Sequence, residues 1–119
     1  DRWRCTEVAL RRTADLERVR KELEGWDVTI EATGFAIHIM DRGHGKLAGV
    51  RKMAEISGID ISQIAAFGDS DNDVGMLKEC GESVAVGNAS LAAKAAARYV
   101  SPNPHAAGVI DGLRRLGLL

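Results

Sequence analysis

Hydrophobic and polar positions alternate along this chain in two ways, and the manner changes after Met40. Before it, Val8, Ala9 and Leu10 form a short mixed run within residues 5–11 that reads as a strand end. Leu16, Val19 and Leu23 then recur at helical spacing among charged residues. This predicts an amphipathic helix over 15–23, with Thr13 or Asp15 as its N-cap and Gly25 at C′. Val28-Thr29-Ile30-Glu31-Ala32 and Ala36-Ile37-His38-Ile39-Met40 predict two strands joined by a tight turn at Thr33-Gly34. An antiparallel pair with a helix on one face makes residues 1–40 a small α+β unit.

Residues 41–119 alternate helix and strand, as a Rossmann-like, doubly wound parallel sheet would, and the boundary falls between Met40 and Lys46. Asp41-Arg42-Gly43-His44-Gly45 is a polar connection. A helix is predicted over 46–57, with Leu47, Val50, Met53 or Ala54, and Ile56 inward and Gly58 as its stop. Ile64-Ala65-Ala66-Phe67 reads as a buried parallel strand, residues 72–79 as a helix with Met76 and Leu77 inward, and Ser83-Val84-Ala85-Val86 as a further strand. After a turn at Gly87-Asn88 comes an alanine-rich helix over 90–98 capped by Ser90. A short strand at Tyr99-Val100, a proline-bearing loop and a helix over 107–116 close the chain.

Composition narrows the functional classes. The 119 residues suffice for one ordinary domain. Sixteen basic against seventeen acidic residues leave a formal charge of −1, which supplies no field to recruit nucleic acid or an anionic membrane. Apolar runs fall far short of the ~20 residues of a transmembrane helix, and no leader pattern opens the chain, so it reads as soluble and cytoplasmic. Cys5 and Cys80 stand 75 positions apart, outside any CxxC or Cys/His cluster, which argues against zinc or redox chemistry and for free thiols in a reducing compartment. The start at Asp1, running directly into Arg2-Trp3-Arg4, reads as a fragment or a processed product.

The densest chemistry lies in Gly68-Asp69-Ser70-Asp71-Asn72-Asp73, directly after the buried strand. Ligands of open α/β sheets sit beyond the carboxyl ends of the strands, and mutually repelling carboxylates there call for a hard divalent cation or an ion pair. The Asp-x-Asp-x-Asp spacing also opens an EF-hand loop. That alternative fails, because position six is Val74 rather than glycine and position twelve is Cys80 rather than glutamate. Simple helix capping accounts for one or two acids but poorly for this cluster. Lys46, roughly twenty residues upstream, opens a helix whose N-terminus already has positive character, an arrangement that an anion would favour. Alone it reads as a solvated residue; with the acidic loop it suggests a site where Asp69 and Asp73 hold Mg²⁺ against a phosphate bound by Lys46.

At these residues the chain resembles the haloacid dehalogenase superfamily of phosphohydrolases. Gly68 to Asp73 resembles that family's fourth motif, and Gly45-Lys46 with the following helix resembles its third. Within the superfamily the chain is most similar to the archaeal type of phosphoglycolate phosphatase and its sugar-phosphate phosphatase relatives, through residues 33–40, 41–50, Val86-Gly87-Asn88-Ala89 and the loop before Gly108-Val109. The resemblance implies a Mg²⁺-dependent phosphomonoesterase acting through an aspartyl phosphate on a small phosphorylated metabolite such as 2-phosphoglycolate. It implies Asp69 as metal ligand, Asp73 as a second metal ligand or as an anchor for bound water, and Lys46 as the catalytic, phosphate-binding cation, with Ser70, Asp71 and Asn72 as supporting residues.

The family's nucleophilic Asp-x-Asp strand has no counterpart before Lys46. The resemblance therefore implies the rear half of such an enzyme: the end of an α+β cap over 1–40, then the back of the catalytic core over 41–119. Two readings follow. The chain is a phosphatase that needs a chain carrying the missing N-terminal half, or it is a noncatalytic metal- or phosphate-binding or assembly module. A sheet lacking its first strand exposes an edge, which predicts homodimerisation or poor solubility. A receiver domain also combines acids and a lysine, but there the acids come first. His38 reads as a packed sheet residue, and His44 and His105 as solvated loop residues.

Overall fold

The computed structural model describes residues 7–119. Cys5 lies outside them, and Cys80 is a buried free thiol. Two compact units meet at the bond between Gly45 and Lys46.

The first unit is a three-stranded antiparallel sheet with one helix. Strands β1 (Glu7–Arg11), β2 (Val28–Ala32) and β3 (Ala36–Asp41) run in the order β1-β3-β2. Leu10 and Ala32 both lie opposite Ile37, and Val8 and Ile30 both lie opposite Ile39, so one face collects the aliphatic side chains. Ile37 at its centre is fully buried. Helix α1 (Leu16–Glu22) begins at Asp15, whose carboxylate accepts the amide protons of Glu17 and Arg18, so of the two candidate caps it is the aspartate that serves. Val19 and Leu23 share a cavity of about 460 Å³ with Leu10 and Ile39, which sets the helix on the aliphatic face but leaves it incompletely packed. Two expectations shift by one residue: the tight turn is Gly34-Phe35, closed by the Thr33 amide on the Ala36 carbonyl, and the left-handed glycine Gly25 follows C′.

The second unit is the parallel α/β layer. Its strands β4 (Ala65–Gly68), β5 (Glu82–Ala85) and β6 (Tyr99–Val100) lie side by side in that order, all parallel. Helices α2 (Lys46–Ser57), α3 (Val74–Glu79), α4 (Leu91–Ala96) and α5 (His105–Arg115) connect and follow them. Ala66 and Ala85 point to one face and pack with Leu77, Cys80 and Ala93 of the α3–α4 side. Phe67 and Val84, a registered pair, point to the other and meet α5. The approach there is so close that a Cβ on Gly112 would stand 2.7 Å from the Phe67 ring and 2.9 Å from Val84, so only glycine lets α5 lie on the sheet. Helices on both faces make this the doubly wound arrangement the alternating pattern predicts.

Helix α2 has the predicted limits, but its inward face is narrower than its periodicity implies. Ala54 is buried and Leu47 and Val50 are half-buried, whereas Met53 and Ile56 stand 62% and 70% exposed. Only a narrow stripe of the helix faces its neighbours, which are α3 and the 3₁₀ turns over 61–63 and 71–73, so Met53 and Ile56 fall on its open side. Leu47 touches the position a Cβ on Gly75 would occupy, 3.3 Å away, and Arg51 forks onto Glu79 with Nη2 to Oε1 at 2.7 Å and Nε to Oε2 at 3.1 Å. Helix α3 is likewise shorter than its pattern, since residues 71–73 wind as a tight 3₁₀ turn before the α-helix proper.

Candidate active site

Strand β4 ends at Gly68, and the chain then passes through Asp69 and Ser70 into the 3₁₀ turn. The turn folds Asp73 back over the strand end. Its carboxylate is almost wholly buried, at 1% exposure, and is fully engaged. Oδ2 accepts the backbone N–H of Asp69 at 2.9 Å, that of Ser70 at 3.0 Å and the Ser70 hydroxyl at 3.2 Å. Oδ1 accepts a hydrogen bond from Lys46 Nζ. Burial pushes this carboxyl up, but the Lys46 hydrogen bond and the two amide protons outweigh it and hold it below the ordinary carboxylate range.

Lys46 is the first residue of α2, and its side chain is 48% exposed. An ammonium carries three donors, so the bond to Asp73 leaves others for a ligand. The structure thus brings together Lys46 and Asp73, as their placement in the sequence suggests. Asp69 is adjacent through its backbone, while its own carboxylate is exposed and has no hydrogen-bond or ion-pair partner among the described residues.

The remaining loop residues have structural employment. Asn72 accepts the Ser70 hydroxyl at 2.7 Å, and Asp71 accepts the Ser90 hydroxyl at 2.6 Å. Ser90, read from the sequence only as a helix cap, does cap α4 by accepting the Ala93 amide at 3.2 Å. It also donates its own amide to the Asp69 carbonyl at 2.8 Å. Beside Asp69 a cavity of about 210 Å³ opens at the strand ends, walled in part by Phe67, Gly68, Asn88, His105 and Val109. Asn88 holds the His105 amide at 2.7 Å, and His105 is the single non-glycine residue with positive φ, 51°, among those described. The Asp71–Ser90 and Asn88–His105 contacts link residues 19 and 17 positions apart, and no local pattern announces them.

Magnesium demands an octahedron of hard oxygens, most of them water, with one or two carboxylates from the protein. Asp69 suits that demand, being a free, exposed carboxylate. Asp73, with Lys46 on one oxygen and three donors on the other, suits the part of anchor better than that of direct ligand. Among the described residues no three His, Cys, Asp or Glu side chains are grouped to hold a metal ion.

The site of this α/β unit is thus a lysine at a helix start, ion-paired to a buried aspartate at the carboxyl end of a parallel strand, with an exposed carboxylate next to it. The model of the haloacid dehalogenase-like hydrolases matches residues 6–113. This chain belongs to that family. Among curated proteins it is 40% identical over 117 residues to a phosphoglycolate phosphatase of Archaeoglobus fulgidus, covering 98% of this chain and 52% of that protein. It is 39% identical over 123 residues to one of Methanothrix thermoacetophila, covering 99% and 55%. The chain therefore spans about half the length of the curated relatives it matches. Of solved structures, a Thermoplasma acidophilum protein superposes with a TM-score of 0.86 at 28% identity, covering 99% of this chain and 53% of the other. A haloalkanoate-superfamily phosphatase from Bacteroides thetaiotaomicron superposes at 0.84 with 26% identity, covering 99% and 44%.

Proposed function

We propose that this chain is the rear part of a magnesium-dependent phosphomonoesterase, in which residues 1–40 end an α+β cap and residues 41–119 form the back of the catalytic core. The observation that carries this reading is the Lys46–Asp73 pair beside the unpartnered carboxylate of Asp69. The substrate is a small phosphorylated metabolite, 2-phosphoglycolate, hydrolysed to glycolate and phosphate; the support is the name borne by the archaeal relatives.

Each residue's part follows from its surroundings. Asp73 fixes the ammonium of Lys46, and the remaining donors of that ammonium bind the phosphate oxygens and offset their charge. Asp73 also aligns the amides of Asp69 and Ser70, which sets the direction of the Asp69 carboxylate. Asp69 is the ligand this chain offers to Mg²⁺, which when bound neutralises charge on the transferring phosphoryl group. In this reading the nucleophile comes from a segment outside this chain, because no Asp-x-Asp following an apolar run precedes Lys46.

The test is phosphate release from 2-phosphoglycolate with Mg²⁺, by this chain alone and with a second chain carrying the front half of a relative. Release only from the mixture, lost in Lys46→Ala, supports the proposal. No release from a folded, stoichiometric mixture overturns it in favour of a noncatalytic metal- or phosphate-binding module.

A further inference from the structure

The cavity of about 210 Å³ beside Asp69 has walls of two kinds. Phe67, Val86 and Val109 make one of them apolar, while Asn88 and His105 bring polar side chains to the other. A single bond fixes these two against each other: Asn88 Oδ1 accepts the His105 amide proton at 2.7 Å. With its acceptor spent on the backbone, the Asn88 side chain keeps its NH₂ group as a donor, and the His105 ring makes no hydrogen bond among the described residues. Asp69, which also borders the cavity, joins it to the Lys46–Asp73 pair through its amide bond to the Asp73 carboxylate.

We infer that Asn88 and His105 are specificity-determining residues, receiving the carboxylate of a small phosphorylated acid whose phosphate lies at Lys46. This deepens the phosphomonoesterase reading given above and rests on it. Three features favour that ligand. Asn88 through its NH₂ and His105 through a ring nitrogen offer donors from one side, as the paired oxygens of a carboxylate require. The apolar wall of Phe67, Val86 and Val109 suits the methylene between two anionic ends. The size of the cavity lies below the ~300 Å³ at which pockets for larger organic ligands begin, which suits a short acid in preference to a nucleoside.

Chemical-shift titration of this chain with 2-phosphoglycolate and with ethyl phosphate, which keeps the phosphate and lacks the carboxylate, tests this, while thermal midpoints record that each variant folds. The parent chain is expected to bind 2-phosphoglycolate about tenfold tighter, since donors built for a group discriminate against the analogue without it. His105→Phe should bring that ratio close to one, and His105→Gln, which returns a donor, should recover part of it. Asn88→Asp keeps the acceptor for the His105 amide but sets a carboxylate against a carboxylate, and should take the ratio below one. A ratio near one in the parent chain overturns the inference, as does a ratio that survives in H105F or in N88D. A collapse in H105F that H105Q does not relieve makes His105 a support of the loop and overturns it too. Lys46→Ala separates the two levels. If the parent chain binds neither ester, or K46A binds both as tightly as it does, the phosphomonoesterase reading falls and takes this inference with it. K46A-sensitive binding with a ratio near one sinks the Asn88 and His105 assignment alone.

Discussion

A Cβ added to Gly68 would stand 2.6 Å from the Cβ of Asp73 and 2.9 Å from its Oδ2. The last residue of β4 is therefore a glycine so that the carboxylate of Asp73 can lie directly against the strand end, where the amides of Asp69 and Ser70 reach it. Gly68→Ala should displace Asp73 and weaken its bonds. The expected destabilisation is about 1–3 kcal/mol in urea unfolding, the usual range for overpacking. An unaltered urea midpoint would show that the loop moves aside freely.

Lys46→Met should remove the partner of a buried carboxylate while keeping much of the aliphatic stem. Leaving Asp73 one donor short costs about 1–3 kcal/mol by the general penalty for an unsatisfied buried group, toward the lower end because Lys46 is half exposed. The pH dependence has a definite sign. A carboxyl whose folded value lies below its unfolded value stabilises the fold above the unfolded value, near 3.9, and that contribution fades as pH falls through the folded value. Urea midpoints between pH 7 and pH 2 should therefore fall less steeply in K46M than in the parent chain.

The sole tyrosine, Tyr99, provides a spectroscopic reading of how α5 is held to β6. Its hydroxyl donates to Asp111 Oδ2 at 2.8 Å, beside the Ser101 hydroxyl at 2.7 Å. The hydrogen bond to Asp111 pushes the phenol above its ordinary value, helped by burial, although the Arg115 guanidinium, 4.4 Å from the ring centre, works against it. Asp111→Ala should bring the phenolate absorbance transition to lower pH. A transition at the same pH in both proteins would rule out the bond as the cause.

One side of β4 pairs with β5, and on the other no strand pairs with it among the described residues. An open edge of this kind is a template for association. Sedimentation should show this chain forming dimers or larger species, and addition of a chain carrying the front half of a relative should disperse them. A stable, monodisperse monomer at high concentration would count against this.

Several features were open to reading in the sequence because their causes are local. The limits of α2 follow from Lys46 at one end and Gly58 at the other, where φ is +65°. Asp15 and Ser90 act as caps within three residues of the amides they serve. The family motifs around Lys46 and Asp69 depend on residue types at fixed positions, so they too were visible. What escaped depends on distant partners. The exposure of Met53 and Ile56 follows from where α3 lies, which helical periodicity does not encode. The division of labour among Asp69, Asp71 and Asp73 follows from Lys46 and Ser90, each far away in sequence. The turn at Gly34-Phe35 was displaced by one residue, because Thr33 pairs with Ala36 across the hairpin instead of leaving it.

Lys46 is the first residue past the joint between the two units, and it also carries the ammonium that Asp73 holds. Both partners of that pair belong to the second unit, and the ammonium is carried by the rigid start of α2. Residues inserted into the polar linker over 42–45 therefore leave the charge where it is, and the pair asks nothing of the antiparallel sheet that comes before it.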